Sequence, residues 1–330
     1  MSVQHMSRPS TVNIVEVGPR DGFQMEKAFI PTDTKVAIIN AVVAAGVRKV
    51  EATSFVSPKV IPQMADAGEV MRRIERCPGV SYTALVPNGK GARLAVEAGV
   101  DGIRVVICAS EAYNQRNVRM SIKESLHACE DTLAVGREKT VPVEAIIALA
   151  FGCPLEGPIP EERVLDLAHR LMAMGIRELS IADSVGLGNP AQVSRLARRL
   201  RDELPEVHFS LHIHNTRGLG LANVLAALDA GIDAFDSSIG GLGGCPVVPG
   251  GRGNIPTEDL AYMLNEMGIE TGVDIEKIMV ASRMAEDFLR RSLSSYVLAA
   301  GTREQVYRRV EQGKRPETTA RHESGTTARK

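Results

Sequence analysis

Three histidines stand at alternate positions in one short apolar segment, HFSLHIHNTRG (residues 208–218), in a chain with only seven histidines. On a β-strand, residues i and i+2 share a face, so His208, His212 and His214 would point to the same side. Two imidazoles on one face can bind a single cation, whereas the simpler interpretation is a set of hydrogen-bonded interior histidines. We predict that His212 and His214, nearest the end of the strand, bind a cation and that His208 is structural.

Two opposite charges, Arg20 and Asp21, follow the first predicted strand in VGPRDG. Adjacent surface charges usually form a solvated ion pair worth about 0–1 kcal/mol, but here a tight exit from a buried strand fixes their position. Glu51 lies within an apolar strand, where an unpaired carboxylate is costly, so Arg20 is its expected partner. Asp21 is expected near the histidine pair, which favours a cation site over structural histidines.

A glycine-rich segment, GGLGGCPVVPGGRGN (residues 240–254), has seven glycines in fifteen residues. It has no GK[ST] and is therefore not a Walker phosphate loop. This density of glycine indicates a mobile loop or a close approach of backbone to a ligand. A lone cysteine is usually inert filler, but Cys245, between Gly244 and Pro246 and beside a charged rim, is a candidate for acid–base chemistry.

The elements that position these residues repeat a helix–glycine–strand unit, in which the glycine can close the helix in the left-handed conformation. We predict eight strands, near residues 12–17, 48–54, 81–86, 102–108, 142–150, 177–182, 207–214 and 233–239. Eight such alternations favour a closed (β/α)8 barrel over an open doubly wound sheet. Polar residues then follow five strand ends, including Asp183 after the sixth, and converge on the carboxyl-terminal rim.

The same patterns divide the chain into three parts. Residues 1–11 form an N-terminal extension, and residues 12–293 form the barrel domain, which includes an additional helix at about 274–293. Residues 302–330 are polar and charged with few large apolar side chains, so we expect a disordered tail.

Composition excludes several classes of function. The 39 Lys and Arg nearly balance the 40 Asp and Glu, which predicts no nucleic-acid partner. No apolar run is long enough to span a bilayer and no signal peptide is apparent. Five cysteines without a CxxC pair are typical of a reducing compartment, so we expect a cytoplasmic protein.

Several motifs, VEVGPRDGFQ, SFVSPK, HIHNTRG and GGLGGCP, resemble those of the 3-hydroxy-3-methylglutaryl-CoA (HMG-CoA) lyases, members of the DRE-TIM metallolyases, and the resemblance runs from about Val12 to Ser292. It implies a (β/α)8 barrel, an acyl-CoA substrate and a homodimer. It also implies a divalent metal, Mg²⁺ or Mn²⁺, held by Asp21, His212, His214 and Asn254, an O/N set that suits these hard cations.

The implied reaction cleaves a 3-hydroxyacyl-CoA between C2 and C3, and HMG-CoA would give acetoacetate and acetyl-CoA. Arg20 would stabilise the departing thioester enolate, Glu51 would orient Arg20, and Cys245 would supply the proton to C2. The base for the C3 hydroxyl would be Asp21 or His212.

Two departures from the family pattern concern the acyl group. Met25 replaces the usual Asn, and NTRG follows the metal histidines where the family commonly begins with DT. A different 3-hydroxy-3-alkylglutaryl-CoA-like thioester is therefore an alternative substrate.

Two other functions compete with the lyase. One is a condensing acyltransferase of the isopropylmalate or homocitrate synthase type, but those enzymes usually carry HCHND and a long regulatory C-terminal domain. The other is a non-catalytic metal-binding barrel, which the retention of all the metal, arginine and cysteine positions disfavours.

Overall fold

The computed structural model describes residues 8–244 and 251–312. Within them eight parallel strands close into a barrel, because each strand pairs with the next along the chain and the last pairs with the first. The predicted (β/α)8 barrel is thus confirmed. The strands are β1 (Asn13–Glu16), β2 (Lys49–Ser54), β3 (Ser81–Leu85), β4 (Gly102–Cys108), β5 (Val143–Ala148), β6 (Glu178–Asp183), β7 (His208–Ile213) and β8 (Ala234–Ser237).

Helices cover the outside of the barrel, and their buried apolar faces pack against the strands in one large core. In the described part of the chain they are α1 (Thr32–Ala44), α2 (Ala67–Arg73), α3 (Gly89–Glu97), α4 (Glu111–Val118), α5 (Ile122–Lys139), α6 (Glu161–Ala173), α7 (Pro190–Glu203), α8 (Gly220–Leu228), α9 (Thr257–Glu266), α10 (Ile275–Leu289), α11 (Tyr296–Ala300) and α12 (Arg303–Glu311). No helix among the described residues has the length and apolar character to cross a membrane.

Strand β7 alternates as the sequence predicts. Phe209 and Leu211 face outward and, with residues of α7, line a small apolar space. His212 faces the barrel interior, where it meets Asp236 of β8. The apolar outer face holds the strand against its helix layer, and this leaves the inner face free to carry polar groups.

The exit from β1 is a single π-helical turn, Gly18–Gly22. The backbone N–H groups of Arg20 and Asp21 both donate to the carbonyl oxygen of Val17, so the turn holds both side chains in fixed positions. Beneath it, the Glu16 carboxylate accepts hydrogen bonds from the N–H groups of Gly18 and Ile239. This contact links the ends of β1 and β8.

The C-terminal region contains more structure than expected. The additional helix predicted at 274–293 is α10, and α11 and α12 follow it. The expectation that the tail is disordered from residue 302 is wrong for Arg303–Glu311, because Thr302 and Gln305 form a capping box that satisfies the first turn of α12. Residues 313–330, like residues 1–7 of the N-terminal extension, lie outside the described part.

Candidate active site

Three candidate metal ligands meet at the carboxyl-terminal mouth of the barrel. Asp21 comes from the π-helical turn after β1, His212 from the end of β7, and His214 from the residues just beyond it. All three are buried, and one ligand atom from each lies within 4.8 Å of the others. The first and seventh strands come this close because β8 alone separates them in the closed barrel.

The polar atoms of this group face one another. His212 Nε2 lies 3.1 Å from His214 Nε2, and His214 Nε2 lies 3.8 Å from Asp21 Oδ2. Asn254 donates from Nδ2 to the same Asp21 oxygen at 2.7 Å. Asn254 Oδ1 is buried and has no hydrogen-bond partner, so an acceptor that normally requires a partner is left available beside the cluster.

This donor set suits a hard divalent cation. A carboxylate, an amide oxygen and two imidazoles form an O/N set without thiolate. Burial and the nearby His212 lower the pKa of His214 to about 4, so its ring is neutral at neutral pH and keeps a lone pair for a metal. His208, the third histidine of the segment, is not part of the group.

Asp236 of β8 supports this cluster, and sequence reasoning missed it. Its Oδ2 lies 3.1 Å from His212 Nδ1. Burial raises the pKa of Asp236, but the charge of Arg104 and the contact with His212 together lower it to about 2. An ionised carboxylate at Nδ1 holds the proton there and leaves the Nε2 lone pair facing His214. The available signal was a second Asp in the eighth predicted strand, DAFDSSI, directly after the apolar pair Ala234–Phe235.

Arg20 forms the second half of the site. Its Nη1 donates to Asp21 Oδ1 at 2.8 Å, and its Nη2 lies 2.7 Å from Glu51 Oε2. The predicted Arg20–Glu51 pair is therefore present, and Glu51 is fully buried. Burial lowers the pKa of Arg20, but the charges of Glu51 and Asp21 more than reverse this effect. The guanidinium is thus charged and fixed beside the cluster.

Asp183, predicted to be one of the charged groups converging on the rim, has a different role. Its two carboxylate oxygens accept hydrogen bonds from the backbone N–H groups of Leu187 and Gly188, each at 2.8 Å. Burial raises its pKa. The side chain therefore holds the loop after β6, and it does not belong to the metal-type cluster.

The described parts of the glycine-rich segment show why it needs glycine. A Cβ on Gly243, whose φ is +114°, would lie 2.6 Å from Asn254 Nδ2 and 3.0 Å from Asp21 Oδ2. A Cβ on Gly253 would lie 2.6 Å from the carbonyl oxygen of Gly241. These glycines allow the two arms of the segment to pack closely against each other and against the site. Cys245 lies outside the described residues.

A cleft of about 1730 Å³ opens from this cluster toward solvent. Arg20, Asp21, His212 and His214 line it, and Lys90 and Arg116 also lie along it. A long substrate with a reacting end at the barrel mouth and an anionic end toward the basic side chains would fit this shape.

These features define a (β/α)8 barrel whose carboxyl-terminal mouth holds a cluster able to bind a metal ion, next to a buried arginine. The family model described as HMGL-like matches residues 11–285. The chain therefore belongs to the HMGL-like family.

The relatives are similar over nearly their whole length. The cytoplasmic 3-hydroxy-3-methylglutaryl-CoA lyase of Mus musculus is 43% identical over 292 residues, which is 88% of this chain and 85% of that protein. The crystal structure of hydroxymethylglutaryl-CoA lyase from Pseudomonas aeruginosa has a TM-score of 0.87 and 41% identity, covering 89% of this chain and 98% of that one. An HMG-CoA lyase from Acinetobacter baumannii in complex with coenzyme A and 3-methylmalate has a TM-score of 0.86 and 39% identity, covering 92% and 98%.

Proposed function

We propose that this protein is a metal-dependent lyase that cleaves HMG-CoA to acetoacetate and acetyl-CoA. The observation that carries the proposal is the placement of Arg20 between Asp21 and Glu51, directly beside the Asp21–His212–His214 cluster. A carbon–carbon cleavage that releases an enolate requires both a means to ionise a hydroxyl and a fixed positive charge for the enolate.

The acyl-CoA substrate is supported by the cleft and by a relative. The cleft has room for a thioester with a long carrier group, and the lyase from Acinetobacter baumannii binds coenzyme A. A substituted glutaryl group would reach the barrel mouth while the phosphates remained near the basic side chains at the cleft.

Asp21, His212, His214 and Asn254 would hold the metal, and Mg²⁺ or Mn²⁺ is proposed from the O/N donor set. A bound divalent cation would lower the pKa of the C3 hydroxyl. The buried Asn254 Oδ1 has no hydrogen-bond partner, and this supports its assignment as a metal ligand. Asp236 would keep His212 in the tautomer that presents Nε2.

Arg20 would stabilise the enolate that forms when the C2–C3 bond breaks. Its position is fixed by Asp21 and Glu51 before substrate arrives, so little reorganisation is needed at the moment of reaction. Glu51 is a positioning residue, because it is fully buried and contacts the guanidinium.

Two residues are candidates for the base that takes the hydroxyl proton. His212 could accept the proton at Nε2 when that nitrogen is not bound to the metal, and Asp236 would then stabilise the imidazolium. Asp21 has two oxygens, one of which could bind a metal while the other accepted a proton, although three donors contact them. Because both side chains are also proposed metal ligands, D21N and H212N are compared at saturating Mn²⁺, and the variant that is loaded with metal but does not turn over identifies the base.

Cys245 is proposed as the proton donor to C2. The preceding Gly243 packs against Asp21 and Asn254, so the chain approaches the reacting atoms just before the cysteine. The substitution Cys245→Ser should lower turnover by about tenfold to a hundredfold, since a hydroxyl is a poorer acid than a thiol. Full turnover in the folded variant would assign proton donation to another group.

The decisive experiment is to incubate the purified protein with HMG-CoA and Mg²⁺ and to measure acetoacetate and acetyl-CoA. We expect both products, loss of activity with a chelator, and recovery with Mg²⁺ or Mn²⁺. Homologous thioesters with hydrogen or longer alkyl groups at C3 test the alternative acyl groups. Condensation of acetyl-CoA with a 2-oxo acid, without cleavage of any of these thioesters, would overturn the proposal in favour of an acyltransferase.

We also propose a cytoplasmic location. Five cysteines without a CxxC pair are compatible with a reducing compartment, and the relatives include both cytoplasmic and mitochondrial enzymes. The homodimer implied by the resemblance remains a prediction.

A further inference from the structure

A second arginine, Arg104, lies inside the barrel below the proposed site. It stands on β4 opposite Glu144 of β5, and its side chain is only 2% exposed. It does not line the substrate cleft. A buried guanidinium at this depth is costly unless it is paired, so its partners indicate its purpose.

Arg104 contacts three carboxylates, and two of them, Asp236 and Glu51, stand behind the two halves of the site; the third is Glu144. Its Nη2 donates to Asp236 at 2.9 Å and 3.2 Å, and its Nη1 lies 3.5 Å from Glu51 Oε2. The Asp236 oxygen at 2.9 Å is the one that contacts His212 Nδ1, and the Glu51 oxygen is the one that contacts Arg20. One guanidinium therefore joins the support of a proposed metal ligand to the support of the proposed enolate-binding arginine.

This arrangement makes both supports depend on one charge. Asp236 and Glu51 are each fully buried, and a buried carboxylate that loses its cation must turn to another donor. A reoriented Asp236 would no longer fix the tautomer of His212. A reoriented Glu51 would leave Arg20 held by Asp21 alone.

We propose that Arg104 is a positioning residue that keeps His212 and Arg20 in register through Asp236 and Glu51. It acts without touching substrate. The turnover readout of this inference rests on the proposed function, whereas its metal-binding readout does not require the lyase reaction.

Three variants separate positioning from a merely structural role. R104M removes the charge at similar volume. R104K retains a cation that can reach Asp236 but offers no fork to reach Glu51 as well. E144Q is the matched control, because Glu144 contacts Arg104 and Lys49 but neither His212 nor Arg20. The measurements are thermal unfolding, the Kd for Mn²⁺ of the metal-free protein, and kcat and KM for HMG-CoA.

We expect R104M to weaken Mn²⁺ binding by up to about tenfold to a hundredfold, the loss that is common when the partner of a metal ligand, here Asp236, no longer holds it. Its kcat should fall by at least as much, with little change in KM, because the cleft wall is intact. R104K should recover most of the Mn²⁺ affinity but only part of the kcat. E144Q should bind Mn²⁺ and turn over like the wild type, whatever its unfolding temperature.

Two results would overturn the inference. One is a folded R104M, or R104K if R104M does not fold, with wild-type Mn²⁺ affinity and kcat. The other is equal loss of metal affinity in E144Q and the Arg104 variants, which would make the effect one of general barrel stability. Failure of the wild type itself to cleave HMG-CoA would defeat the proposed function instead, and the Mn²⁺ titrations would still test the role of Arg104.

Discussion

The two ends of strand β7 place histidines in opposite electrostatic settings. At the amino-terminal end, His208 lies 2.8 Å from Glu178 through Nδ1 and 2.8 Å from Asp233 through Nε2, and the hydrogen bond to Glu178, assisted by Asp233, raises its pKa to about 9. At the carboxyl-terminal end, burial and His212 lower the pKa of His214 to about 4. At neutral pH the first ring is charged and the second is neutral, although only five residues separate them.

The difference shows how burial and pairing decide what one residue type does. His208 is partly exposed and uses both ring nitrogens on carboxylates, so it crosslinks neighbouring strand ends and has no free lone pair. His214 is buried, and its nearest carboxylate, Asp21, is already engaged by Arg20 and Asn254. A neutral imidazole with an available nitrogen can bind a metal, whereas an imidazolium cannot.

The largest effect is expected when one of the two histidines, His214, is replaced by a residue without an imidazole ring. His214→Ala should abolish tight Mn²⁺ binding and with it measurable turnover, because a direct ligand is worth more than its supporting contacts. His208→Gln is the matched control and should leave both unchanged. Titration calorimetry with Mn²⁺ provides the measurement, and equal metal affinity in His214→Ala and the wild type would exclude His214 as a ligand.

The next largest effect is expected for Arg20, which lies beside the cluster at the carboxyl-terminal end of β7. Arg20→Lys should lower kcat, because an ammonium cannot reach both Glu51 and the enolate oxygen. The expected loss of transition-state stabilisation is about 3–4 kcal/mol. KM should change less. Steady-state kinetics with HMG-CoA measure both, and a raised KM with unchanged kcat would instead make Arg20 a substrate-binding residue.

A smaller effect is expected for His208, at the amino-terminal end of β7, in the pH dependence of stability. The folded pKa of His208, about 9, exceeds its unfolded value of about 6.5. Its stabilising contribution is therefore complete below about pH 6.5 and is lost as the pH rises through about 9. Because the side chain is 41% exposed, we expect at most about 1 kcal/mol, or about 2 °C in Tm.

Thermal unfolding of His208→Gln and the wild type from pH 6 to pH 10 checks this expectation. The Tm values should differ at pH 6 and converge by about pH 9.5. A difference that persists unchanged at high pH would mean that His208 stabilises the protein through packing and not through its charge.

The smallest effect is expected at helix α12. Helix α12 has no buried residue, and its ion pairs with Glu266 and Glu276 are on the surface. A chain ending at residue 302 should therefore keep turnover and shift Tm by no more than about 1–2 °C, since exposed pairs contribute little. A large loss of turnover would show that the removed segment contacts the active site.

Much of the fold could be predicted from local patterns. In the repeated helix–glycine–strand units, the glycine after the helix is Gly46, Gly99, Gly175 or Gly231, and each of these has positive φ, as a helix-closing role requires. Each predicted strand overlaps an observed one within a few residues, because buried strands leave a short apolar signal. Helix α12 could not be predicted from apolar content, because it has no buried residue and begins at a capping box.

The sequence by itself also determined which residues could reach the site. Alternation along β7 and the positions of strand ends place Asp21, Arg20, Glu51, His212 and His214 on one rim, since in a closed parallel barrel all carboxyl ends meet there. This placement follows from the alternation of side chains along a strand and from the common direction of the parallel strands.

Only the tertiary structure decided how these residues are supported. Arg104 and Asp236 contact each other across 132 positions of sequence, and no local pattern relates them. The sequence could not distinguish Asp183, which turns to backbone N–H groups, from Asp21, which faces the histidines. The charge of a side chain inside a barrel depends on the other charges that lie within a few ångströms of it. Those distances are set when the eight strands close into the barrel.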